Sequence, residues 1–90
     1  MLHATLVKMQ MKQKEIKNAT FPDIWEALPF EKRGEVMRYL VASLRVTSQA
    51  IYNWASGRKH PRYPYRKGIA AGLAKVTGER YNPDTLFPAS

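Results

Sequence analysis

Five polar side chains at helical spacing carry the most legible chemistry in this chain. On a helical wheel of about 100° per residue, Gln49, Tyr52, Asn53 and Ser56 fall on one side and Ser48 flanks them. Ile51 and Trp54 fall on the opposite, apolar side. The polar side has no carboxylate. It offers two hydroxyls, two amides and a phenol, an inventory that suits the edges of bases. Gln and Asn can exchange paired hydrogen bonds with adenine, Ser adapts to any base, and an aromatic ring can press on a thymine methyl. A helix fits the major groove of B-DNA. Gln, Asn and Ser are also ordinary surface residues, so the reading depends on what surrounds them.

What surrounds them is basic. Between residues 36 and 78 there is no Asp or Glu, while Arg38, Arg45, Arg58, Lys59, Arg62, Arg66, Lys67 and Lys75 all lie there. The formal charge of the whole chain is +8, and this stretch accounts for all of it. Cations so placed would bind phosphates without reading sequence, setting register and affinity. Tyr63 and Tyr65 could donate to phosphate as well, or pack their segment onto a core.

Other classes of function find little support. Ninety residues suffice for one small domain. The absence of Cys excludes a disulfide scaffold, a thiolate metal site and a Cys nucleophile. His3 and His60, the two histidines, are far apart, and no paired carboxylates, phosphate-cradling Gly loop or metal-ligand spacing accompanies them. The expectation is a protein that is not an enzyme, with no cofactor and no metal. No apolar run approaches the length of a membrane span, and no secretory signal is legible near Met1. A basic amphipathic helix could lie on anionic lipid, but the apolar stripes here have partner helices. The expected address is cytoplasmic, in association with the nucleoid.

The elements that would position these residues follow from periodicity and caps. Residues 31–44 form the clearest helix, with Val36, Met37, Leu40, Val41 and Leu44 on one stripe. After a very short break at Arg45-Val46, Thr47 caps a helix over 47–56, and Val46 and Ile51 have the spacing of a hydrophobic staple. Gly57 ends it. Residues 60–65, His-Pro-Arg-Tyr-Pro-Tyr, read as an extended connector because of the two prolines. A further helix is expected over 67–77, closed by Gly78, with Gly72 allowing close contact. Phe21-Pro22-Asp23 starts an earlier helix, and Asn82-Pro83-Asp84 starts a final turn that returns Leu86 and Phe87 to the core. The fold class is therefore all-α, a small bundle of four to five short helices with a helix-turn-helix over 21–90. Residues 1–20 form an N-terminal arm that suits a strand, a ragged helix or a flexible segment.

Residues 37–54 resemble the helix-turn-helix of the phage repressor and Cro-like (XRE-type) DNA-binding family. The likeness runs through Leu40, Leu44, Val46, Ile51 and Trp54, the cap Thr47, Ser48-Gln49, and Gly57 with Pro61 behind it. The segment from Asn82 to Phe87 is similar to that family's closing turn, and the resemblance covers roughly 35–88. The chain departs from the pattern at Val41, where a small residue is usual, and at Arg45, where Gly is usual. Arg45 in a left-handed conformation would cost about 1 kcal/mol.

The resemblance implies a sequence-specific transcriptional regulator, a repressor, inserting helix 47–56 into the major groove. Ser48, Gln49, Tyr52 and Asn53 would face bases. Thr47, Arg58, Lys59, Arg62 and Arg66 would face phosphates. The core holding the two helices would be Leu40, Leu44, Ile51, Trp54, Ile69, Leu73, Leu86 and Phe87. The implied partners are double-stranded DNA and a second copy, since this motif reads half-sites one helical turn apart. Two alternatives stay open. One is an antitoxin-type protein that also binds a protein partner through the N-terminal arm. The other is a non-specific nucleic-acid binder stacking bases on Tyr52, Tyr63 and Tyr65.

Overall fold

The structure, a computed structural model, describes residues 15–88. Among them the order is β1 (Ile16–Lys17), α1 (Phe21–Ala27), α2 (Phe30–Leu44), α3 (Ser48–Ala55), α4 (Tyr63–Thr77), β2 (Arg80–Tyr81) and α5 (Pro83–Leu86). The fold is all-α, five helices with one two-residue parallel pairing, Ile16 opposite Arg80 and Lys17 opposite Tyr81. Of the 1–20 arm, only Glu15–Thr20 is described, and its strand joins the closing segment of the domain. The remainder of the arm, and with it the protein-partner reading placed there, lies outside the described residues.

Local chemistry explains where the helices start and stop. Thr20 caps α1, its hydroxyl accepting from the Asp23 amide at 3.2 Å, and Asp23 lies at the positive end of the helix. Helix α2 is unbroken through Gly34 and ends at Arg45, whose φ of 57° and ψ of 44° are left-handed. Arg45 thus takes the left-handed conformation whose cost was considered above, the one non-glycine residue with positive φ among those described. Thr47 caps α3, accepting from the Ala50 amide at 3.1 Å. Asn82 caps α5, accepting from the Asp84 amide at 2.9 Å.

The connector expected at 60–65 is shorter than that. Helix α4 begins at Tyr63, four residues earlier than expected, with Pro64 inside its first turn and extended Arg62 as its cap. A first-turn proline loses nothing, because that N–H has no partner within the helix. Pro61 is buried ahead of it.

The core gathers Phe21, Ile24, Val36, Leu40, Ile51, Trp54, Ala55, Ile69, Leu73, Leu86 and Phe87. Each large side chain so buried contributes about 1.5–3 kcal/mol before its ordering cost. Of the expected core set only Leu44 is half-buried, and fully buried Phe21 was not in that set. Helices α2 and α4 approach closely because α4 presents glycines. A Cβ on Gly72 would lie 2.8 Å from Leu40 Cδ2 and 2.9 Å from Tyr39 Cδ1, and one on Gly68 would collide with Leu44 Cδ2. Among the described residues no helix is long and apolar enough to cross a membrane.

Candidate nucleic-acid interface

Helix α3 divides as its wheel required. Ile51 is fully buried and Trp54 nearly so, on a helix that packs against α1 and α2, while Ser48, Gln49 and Ser56 are exposed. Tyr52 is 53% exposed, and Asn53 is half-buried. The polar residues are already ordered among themselves. Gln49 Nε2 donates to Asn53 Oδ1 at 3.4 Å, and Ser56 Oγ donates to the Asn53 carbonyl at 3.1 Å. That carbonyl also accepts from the amides of Arg58 (3.0 Å) and Lys59 (3.3 Å), which folds the chain back over the end of α3. Gly57, at φ 81°, makes this reversal possible without a side-chain clash. Thr47 spends its oxygen lone pair on the cap and keeps its own hydroxyl hydrogen.

The cations sort into two groups. Arg58, Lys59 and Arg62 are exposed, as are Arg38 and Arg45. The ion pairs seen among the described residues, Lys17–Glu79 and Lys32–Glu35, involve none of them. Arg66 belongs elsewhere. Its Nε donates to the Pro61 carbonyl at 3.0 Å, its Nη1 donates to the Phe87 carbonyl at 3.1 Å, and its guanidinium lies 5.7 Å from the Phe87 ring. Half-buried and so committed, Arg66 is a fastener of the fold, and we remove it from the phosphate-facing set. The sequence could not show this, because the two carbonyls come from a proline-rich bend and from the far end of the chain.

The two connector tyrosines stay exposed, yet each has a neighbour on the protein. Tyr65 lies against Trp54 with ring centroids 5.8 Å apart. Tyr63 stands near Asp84, whose negative charge pushes the phenol above its ordinary range. Lys67 Nζ sits 5.5 Å from the Tyr63 ring.

Two residues outside the sequence-derived set complete the surface. Trp25 of α1 meets Tyr52 edge to face, centroids 6.2 Å apart and planes at 88°. Arg33 of α2 donates through Nε to the Trp25 carbonyl and through Nη2 to the Glu26 carbonyl, both at 2.8 Å. Its guanidinium also sits 6.0 Å from the Trp25 ring. The result is a concavity on each side of the Trp25–Tyr52 pair. One, of about 270 Å³, is lined by Trp25, Gln49, Tyr52, Asn53, Ala55, Ser56 and Arg58. The other, of about 360 Å³, adds Phe30, Arg33, Gly34, Met37 and Arg38 to the two aromatics. Neither is lined by a carboxylate. No local signal marks Trp25 as a neighbour of α3; only its aromatic character in a short first helix could have suggested it.

No family model matches the chain, and no curated protein or solved structure is significantly similar to it.

Proposed function

We propose that this protein is a sequence-specific, duplex-DNA-binding transcriptional regulator of helix-turn-helix type, acting as a repressor at the nucleoid. Helix α3 enters the major groove, with Ser48, Gln49, Tyr52 and Asn53 toward bases. Thr47, Arg58, Lys59 and Arg62 hold phosphates, joined by Arg38 and Arg45. A two-fold dimer would set two such helices one turn of DNA apart.

The observation that carries this reading is the division of α3. One face is locked by Ile51 and Trp54, and the other presents amides and hydroxyls, no acid, and bordering cations that make no ion pair among the described residues. A rigid support, a neutral reading face and a charged rim are what sequence-selective duplex binding needs. General stickiness would be served better by cations spread over the helix face itself.

Selection of bound duplexes from a random pool, at two salt concentrations, tests the proposal. Enrichment of a defined sequence, with affinity falling steeply as salt rises, is the expected result. Equal retention of every sequence, or equal retention of single strands, would overturn it. On the selected duplex, Gln49→Ala should reduce discrimination at one base position by about 1–3 kcal/mol and leave affinity for random duplex nearly unchanged.

A further inference from the structure

We propose that Trp25 and Tyr52 form a seat for the 5-methyl group of a thymine, so that α1, outside the two-helix unit, helps set sequence preference. The inference rests on the DNA-reading function proposed above. Tyr52 is half-exposed on the reading face, where a phenol ring held from no side would sample several rotamers. Here one edge of it is fixed by Trp25 at 6.2 Å.

Trp25 is itself held. Phe21, fully buried, lies 5.8 Å from it on one side. Arg33 clamps its carbonyl at 2.8 Å and covers its ring at 6.0 Å. Arg33 is thus a positioning residue for the indole. An apolar contact of this kind gains from being preformed, since no rotamer freedom is lost on binding.

The chemistry beside this aromatic corner specifies the base pair. Gln49 gives one amide hydrogen to Asn53 Oδ1 at 3.4 Å. Gln49 Oε1 remains as an acceptor and Asn53 Nδ2 remains as a donor. Those are the partners of adenine N6–H and N7 in the major groove. Thymine adds to that edge a methyl group, which no unmodified G·C pair presents. A notch of about 270 Å³ lined by this amide pair and by the two aromatic rings therefore matches an A·T edge, with Arg58 also on its wall to take a phosphate.

The test uses the duplex selected by the full-length protein, with thymines replaced one at a time by deoxyuridine, which deletes the methyl and nothing else. Wild type should lose about three- to fivefold in affinity at one thymine of each half-site, the value of burying one methyl. Tyr52→Ala, at an exposed position, should melt like wild type and bind the thymine and uracil duplexes equally at that site. Trp25→Ala should equalise them too, with its melting curve recorded because it also supports Phe21. If wild type keeps its selected sequence yet tolerates uracil everywhere, the seat does not exist while the reading function stands. A thymine preference that survives in Tyr52→Ala overturns the proposal as well. If no sequence is selected at all, the DNA-reading function fails, and this inference fails with it.

Discussion

Two neighbouring parts of the same acid-free stretch use similar residues in opposite ways. From Thr47 to Arg62, hydroxyls, amides and guanidiniums face outward. From Tyr63 to Lys67, one guanidinium turns onto the protein, Arg66 to Pro61 and Phe87, while the exposed phenols keep a protein neighbour each, Tyr63 near Asp84 and Tyr65 against Trp54. The difference lies in the backbone. In the first part the main chain satisfies itself, through the Thr47 cap and through an Asn53 carbonyl that accepts three hydrogen bonds. The guanidiniums of Arg58 and Arg62 there have no carbonyl to serve among the described residues. In the second, bends next to prolines leave carbonyls without amide partners, and Arg66 supplies donors to two of them. A cation's availability to a ligand is thus decided by unsatisfied carbonyls within its reach, and net charge does not report it.

Four substitutions would break or sharpen this contrast. Trp54 lies under both parts, beneath the reading face and against Tyr65, so Trp54→Ala should cost about 3–5 kcal/mol in thermal or denaturant unfolding. A variant as stable as wild type would mean that the two parts do not share a support. Arg66→Ala should cost about 1.5–3 kcal/mol by leaving two carbonyls unmet, while the salt dependence of DNA binding keeps its slope. A flattened slope would return Arg66 to the phosphate set.

Arg58→Ala should do the reverse. Its unfolding should shift by no more than about 0.5 kcal/mol, while the salt slope flattens by about one unit. Loss of stability without a change in slope would place Arg58 among the fasteners. The smallest effect belongs to Tyr63. Its phenol is raised in the folded protein, so the fold holds that proton more tightly than the unfolded chain does. The associated stability is full below the ordinary tyrosine range and is lost as pH climbs through the folded value. Tyr63→Phe should remove that part of the alkaline decline, and an unchanged alkaline melting profile would show that Asp84 does not influence the ring.

The features legible in the sequence are those decided by neighbours along the chain. Thr47 and Asn82 announce helix starts through their own side chains, and the stripe through Leu40 and Leu44 needs only a periodicity. The split of α3 into an Ile51–Trp54 side and a Gln49–Asn53 side is likewise a property of one helix. The start of α4 was misplaced because two prolines argue for extended chain, whereas the first helical turn tolerates one at no cost. The roles of Trp25, Arg33 and Arg66 depend on partners brought near by tertiary structure. Arg66 reaches across 21 residues to Phe87, and nothing local to either position signals it. The pairing of Ile16–Lys17 with Arg80–Tyr81 is too short to leave a pattern of its own.

That pairing has a kinetic consequence. It joins the first described element to the strand just ahead of α5, fastened further by Asn82 Nδ2 donating to Asn18 Oδ1 across 64 residues. Closing so long a loop for so few hydrogen bonds is entropically unrewarded until the helices between have docked. The pair α2 and α3, with a turn of three residues, closes a far shorter loop. Folding should therefore assemble the α2–α3 pair early and zip the strands late. In the reverse direction, β1 and β2 should part together as one cooperative unit while the α2–α3 pair holds its shape.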